Sequence, residues 1–112
     1  MKTYYITTPL YYVNDRPHIG HAYTTILCDA FARFNRLVGR DVFFLTGTDE
    51  HGEKIQKTAD RLGKDVRTHV DAMAGHFKSM WERLDITYDD FIRTTEERHR
   101  RVVTSVIERL MA

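Results

Sequence analysis

This sequence predicts an α/β fold with a parallel sheet, and two observations predict it. Two short β-type runs, Tyr4 to Thr7 and Asp41 to Thr46, bracket one long stretch of helical periodicity. That stretch is long enough to cross a sheet and return the chain in the same direction, and such strand–helix–strand crossovers are right-handed in nearly all cases.

The first run, Tyr4-Tyr5-Ile6-Thr7, carries the aromatic and β-branched residues that suit a pleated surface, and it ends before Pro9. A loop over Thr8 to Pro17 follows. Ile19, Tyr23, Ile26, Leu27, Ala30, Phe31, Phe34, Leu37 and Val38 then recur at the spacing of one helix face, with Gly39 as a stop. Twenty helical residues span about 30 Å. Asp41-Val42-Phe43-Phe44-Leu45-Thr46 is nearly continuous in apolar residues, as in a strand buried on both sides.

The rest reads as helical. Glu53 to Leu62 is a short helix closed by Gly63, and Val66, Val70, Met73, Phe77, Met80, Trp81 and Leu84 form the stripe of another. Trp81 falls within that stripe and is expected in the core. Ile86 to Ile92 reads as an irregular or short extended connection. Thr94 stands three residues before Glu97, the spacing of a capping box. Val102, Val103, Val106, Ile107 and Leu110 continue the final helix to the end, where no Gly, Pro or cap follows. Such an ending is expected of a truncated chain. His99-Arg100-Arg101 reads as a solvated helix face.

At 112 residues the chain amounts to one domain at most. A chain this short buries only about two-thirds of the surface its unfolded form exposes. The composition, 42% hydrophobic and 29% charged, is globular and not disordered. Seventeen Lys and Arg against sixteen Asp and Glu leave a charge of +1, so no broad basic footprint for nucleic acid exists. Cys28 is the only cysteine, which excludes an internal disulfide and a four-cysteine zinc site. Met1-Lys2-Thr3 leads straight into the first strand without a signal or transit pattern, and no run nears the ~18 apolar residues of a membrane span. A cytoplasmic protein with no membrane partner is the expectation.

Two motifs carry the chemistry. Pro17-His18-Ile19-Gly20-His21 opens the long helix, where unpaired N–H groups and the positive end of the helix dipole favour phosphate. Gly20 removes a Cβ that would obstruct a ligand lying across the first turn, at a cost in helix stability of about 0.5–1 kcal/mol relative to Ala. His18 and His21, three apart, share one helix face. Two imidazole N–H donors there could stabilise charge growing on a phosphate. Two histidines at a helix start could equally cap and pack. A zinc pair fits less well, because helical ligand pairs are usually four apart with a Glu between them. The second motif, Thr46-Gly47-Thr48-Asp49-Glu50-His51-Gly52, leaves the second strand. Parallel strands would bring both motifs to the same edge of the sheet, where open α/β sheets bind ligands. Asp49 could receive an ammonium group, or Thr48 or Asp49 could simply cap the next helix.

Taken together, Thr7-Thr8-Pro9-Leu10-Tyr11-Tyr12, Pro17 to Tyr23, Thr46 to Gly52 and Tyr88 to Thr95 resemble the methionine-specific class I aminoacyl-tRNA synthetases. His18-Ile19-Gly20-His21 matches the class signature letter for letter. The relatives specific for leucine, isoleucine or valine carry a different form of the second motif. The resemblance implies the amino-terminal part of a Rossmann-like nucleotide-binding catalytic domain over residues 1–112, incomplete and without connective, zinc-knuckle and anticodon-binding regions. It implies a ligase that joins methionine to ATP as methionyl-adenylate and then passes it to tRNA(Met). His18 and His21 would be catalytic and, with Gly20, hold the ATP phosphates. Pro9, Leu10, Tyr12 and Asp49 would hold methionine. Mg2+ would accompany ATP, and any zinc would belong to the connective region and not to this chain. The second class signature, Lys-Met-Ser-Lys-Ser, does not occur in these 112 residues, so residues 1–112 alone are expected to be inactive. The rival readings are a small nucleotidyltransferase with the same histidine site, and a non-catalytic nucleotide- or RNA-binding module on this fold.

Overall fold

The computed structural model describes residues 1–112, in the order β1 (Thr3–Thr7), β2 (Tyr11–Tyr12), α1 (Ile19–Leu37), β3 (Asp41–Asp49), α2 (Glu53–Arg61), α3 (Val66–Arg83), β4 (Asp90–Arg93) and α4 (Glu97–Met111). Every strand pairing is parallel, as the β-α-β reading requires. β3 is the spine of the sheet. Leu45 is partnered by Thr7 and by Asp90, so β1 and β4 flank opposite edges of it. No helix is long and apolar enough to cross a membrane.

The loop expected over Thr8 to Pro17 contains a second short strand. Thr7 is in register with Leu45, and Tyr11 with Thr48, so three residues on one side face two on the other. Pro9 lies within this extra-residue bulge; it has no N–H for the ladder, and bulges are where a strand can absorb that defect. The Thr8 hydroxyl, bonded to Thr46 Oγ1 at 2.7 Å, ties the bulge back to β3. The connection expected over Ile86 to Ile92 likewise ends in a strand, β4, laid against Leu45 to Thr48.

One sequence-based expectation fails, and the long helix packs by its less apolar face, each for a physical reason. The apolar stripe of α1 does not face the sheet: Tyr23, Phe31, Phe34 and Leu37 are all exposed. The buried face is Ala22, Thr25, Asp29, Ala32 and Asn35, small or hydrogen-bonded side chains that let the helix sit close. Asp29 is the anchor, accepting from the Thr87 N–H at 2.8 Å, the Thr87 hydroxyl at 2.6 Å and Arg33 Nε at 2.7 Å. Hydrophobic periodicity reports which face is apolar, not which of two opposed faces this stretch of chain covers. The capping box at Thr94 is also absent. Thr94 is buried and its Oγ accepts the Glu50 N–H at 2.8 Å, while α4 starts after Glu96, which makes no side-chain cap bond. α4 is helical to Met111 as expected, yet buries none of its residues; Arg100 and Arg101 are exposed on it.

The main core lies where α2 and α3 meet β2 and β4: Tyr11, Val13, Ile55, Val70, Met73, Phe77, Trp81 and Phe91. Trp81 is fully buried there, as its place in the α3 stripe predicts. The molecule measures 49 × 43 × 18 Å, and its radius of gyration of 16.0 Å exceeds the roughly 13 Å typical of a compact domain of this length. The excess is in keeping with α4, which buries none of its residues against the rest of the chain.

Candidate active site

The two histidines at the head of α1 form the capping box themselves. His18, in extended backbone conformation, is the N-cap, and its Nδ1 accepts the Gly20 N–H at 3.0 Å. The His18 N–H in turn donates to His21 Nδ1 at 3.0 Å. This is the reciprocal arrangement usually made by a Ser or Thr with a Glu, and it satisfies two of the helix's unpaired donors. The rings stack with centroids 3.9 Å apart. Gly20 makes that possible: a Cβ there would lie 2.8 Å from His18 Cε1. The capping reading is therefore correct, and it does not exclude the chemical one.

Capping fixes the tautomer. An Nδ1 that accepts a backbone N–H carries no proton, so in each neutral ring the hydrogen sits on Nε2. His18 is exposed and His21 half-buried, so the Nε2–H donors are available at the rim of the helix start. Burial, and secondarily the neighbouring His18, hold the His21 imidazole below the usual histidine range, which keeps it a neutral donor. The zinc alternative finds no ligand set, because no group of three or more His, Cys, Asp or Glu side chains is placed to hold a metal ion.

The second motif ends at the same edge. Tyr12 is the register partner of Asp49 across β2 and β3. The Tyr12 ring is held over Gly52, whose φ of +141° and lack of Cβ accommodate it; a Cβ there would come within 1.6 Å of Tyr12 Oη. Asp49 is half-buried and its Oδ1 receives only a long 3.4 Å contact from the His51 N–H. It does not cap α2: the N-cap there is Gly52. Leu10 is half-buried and Pro9 exposed, both on the bulge that precedes Tyr12. The structure thus joins Tyr12 and Asp49 directly and sets the histidine pair at the end of the loop that leaves Tyr12.

Sequence reasoning missed what holds these groups. The Glu50 side chain is fully buried and takes both guanidinium arms of Arg93, Nε to Oε2 and Nη2 to Oε1, each at 2.7 Å. Thr48 and Thr95 hydroxyls donate to the same carboxylate at 2.6 and 2.9 Å, and Arg93 also reaches Asp71 at 2.6 Å. An acidic residue directly after an apolar strand was the available signal, but its partner lies 43 residues away. Tyr11 and Phe77 flank His21, although Tyr11 read only as part of the first motif and Phe77 only as part of the α3 stripe.

The chain matches the family of class I tRNA synthetases (M) over residues 4–112. It is 56% identical over 111 residues to the methionine–tRNA ligase of Streptococcus pneumoniae serotype 4, a match covering 99% of this chain and 17% of the relative. With the methionine–tRNA ligase of Halalkalibacterium halodurans it shares 54% identity over 110 residues, 98% of this chain and 17% of the relative. Its fold is similar to Mycobacterium tuberculosis methionyl-tRNA synthetase in complex with methionyl-adenylate, with a TM-score of 0.89 and 48% identity over 90% of this chain and 20% of that one. The chain therefore spans about a sixth of the length of the curated relatives it matches. Motifs, fold and relatives agree: the chain belongs to the methionine-type class I tRNA synthetases.

Proposed function

We propose that residues 1–112 are the amino-terminal part of the catalytic domain of a methionine–tRNA ligase, supplying the ATP-phosphate and methionine-ammonium ends of its active site. The observation that carries this reading is the capping box of His18 and His21, which leaves a neutral Nε2–H on each ring at a helix start. In the reaction, a methionine carboxylate oxygen attacks the α-phosphorus of MgATP. The bond from that phosphorus to the bridging oxygen breaks, and pyrophosphate leaves with the electron pair. Negative charge grows on the phosphate oxygens, and fixed neutral donors stabilise it without having to reorganise. His18 and His21 take this role, while the open first turn at Gly20 lets the phosphates approach. Asp49 faces the ammonium, and Pro9, Leu10 and Tyr12 flank the side chain. An aromatic ring suits a thioether, which makes favourable sulfur–ring contacts. The methionyl group then passes from the adenylate to tRNA(Met).

The test is methionine-dependent exchange of labelled pyrophosphate into ATP, in an enzyme of the relatives' full length carrying this chain at its amino terminus. Exchange should require methionine and should not proceed with leucine, isoleucine or a phosphorylated metabolite. Exchange with such a metabolite would favour the small-nucleotidyltransferase reading, and ATP binding without any exchange would favour the non-catalytic module. Residues 1–112 alone should not catalyse it, because the second signature of the class is not among them.

A further inference from the structure

His21 is held by more than its own helix. Its ring meets that of Tyr11 with centroids 4.9 Å apart at 67°, and that of Phe77 at 5.1 Å and 69°, both edge-to-face. Tyr11 and Phe77 are themselves parallel, 7° apart in plane and 5.7 Å between centroids. The imidazole therefore stands across a stacked pair contributed by β2 and α3. Edge-to-face geometry is the favoured one for aromatic rings and is directional, unlike simple apolar burial. Phe77 is fully buried and Tyr11 nearly so, which leaves neither ring room to turn. Tyr11 is fastened to α1 as well, by a 2.7 Å bond between its hydroxyl and Thr25 Oγ1, one turn beyond His21.

We infer that Tyr11 and Phe77 are positioning residues for His21, fixing the plane of its imidazole so that Nδ1 keeps the His18 N–H and Nε2–H stays aimed at the reacting phosphate. The inference rests on the phosphate role proposed for His21. It assigns to two core residues a task their burial alone does not require. The capping bond is a single contact of 3.0 Å and leaves the ring free to tilt about it. Two rings at nearly equal angles remove that freedom. The same rings exclude water from one side of His21, in keeping with its lowered pKa; the titratable groups against it are His18 and the Tyr11 hydroxyl. A catalytic donor displaced by about 1 Å can lose on the order of 10²-fold in rate.

The experiment is a double-mutant cycle in the full-length enzyme, read as the first-order rate constant of adenylate formation and the KM for ATP. Phe77→Leu should lower the rate constant by about 10- to 100-fold, on that displacement scale, with little change in KM. Phe91→Leu removes a comparably buried ring of the same core that pairs with Tyr88 and with none of His21, Tyr11 or Phe77, and should leave the rate within roughly twofold. In a His21→Ala background, Phe77→Leu should cost almost nothing further. If Phe77→Leu folds poorly, Phe77→Met, whose unbranched flexible chain adapts to an irregular gap without supplying a ring, carries the same expectation. Equal losses from Phe77→Leu and Phe91→Leu, or losses from Phe77→Leu and His21→Ala that multiply, would overturn the positioning role alone. A His21→Ala enzyme with undiminished rate would instead remove the phosphate role on which it rests.

Discussion

Tyr12 and Asp49 are direct register partners across parallel strands, and the ring of Tyr12 is seated on Gly52 three residues beyond Asp49. The two proposed ends of the methionine site, aromatic and anionic, are therefore set by one backbone pairing and one absent side chain. Gly52→Ala tests this seat. The added Cβ meets Tyr12 Oη at 1.6 Å and the residue must hold φ at +141°, so the ring has to leave. Strain of this kind costs about 1–3 kcal/mol. The KM for methionine should rise by at least roughly tenfold, with a smaller change for ATP, in steady-state exchange assays.

Asp49→Asn separates charge from shape. Neutralising one partner of a buried charge pair costs about 2–5 kcal/mol. That loss should fall on methionine affinity, measured by calorimetry, and leave ATP affinity and melting temperature nearly unchanged. Unchanged methionine affinity in a well-folded variant would remove Asp49 from the site.

The Glu50–Arg93 pair should behave as a structural clamp. Arg93→Ala leaves the buried Glu50 carboxylate without its cation, which costs about 3–5 kcal/mol, and Glu50→Gln costs less because Arg93 keeps Asp71. Denaturant unfolding of the full-length enzyme should show that loss. Methionine affinity should fall with it, since Glu50 adjoins Asp49.

Acid should weaken the head of α1. The His21 imidazole is held below the ordinary range by burial and by His18, whereas an unfolded histidine titrates near 6.5. Between those values the unfolded chain binds more protons, so stability rises with pH there and is lost as pH falls. Protonation at Nδ1 also removes the acceptor for the His18 N–H. The rate of adenylate formation should decline only below the ordinary histidine range, where the native His21 ring takes up its proton. His21→Gln, which cannot protonate, should lose its share of the fall in melting temperature.

How much of this was legible in the sequence depends on the range of the interactions involved. The β1–α1–β3 unit follows from local periodicity and from Gly39, and the pairing of His18 with His21 follows from spacing within one helix turn. β2 and β4 are too short to announce themselves and exist because β3 offers two edges. The orientation of α1 was not legible, because its larger apolar face is not covered within these 112 residues and Asp29 and Asn35 look like solvent-facing residues until Thr87 and Arg40 bind them. Thr94 carried a sound capping signal and lost it to Glu50, a partner 44 residues away.

The central claim is that the imidazoles of the capping box act on the phosphate as well as on the helix, and His21→Gln tests it most directly. Gln at this position can still accept the His18 N–H and complete the capping box, so the melting temperature should stay near that of the parent. Its amide oxygen stands one bond further from Cβ than Nδ1 does, so seating that oxygen on the His18 N–H moves the amide N–H2 away from the place of the imidazole Nε2–H. Single-turnover measurement of methionyl-adenylate formation should show a rate constant lowered by roughly 10²- to 10³-fold, the loss typical of one transition-state donor, with the KM for ATP little changed. A capped, stable His21→Gln enzyme that forms adenylate at the parental rate would contradict the claim and leave the histidines with a structural role only.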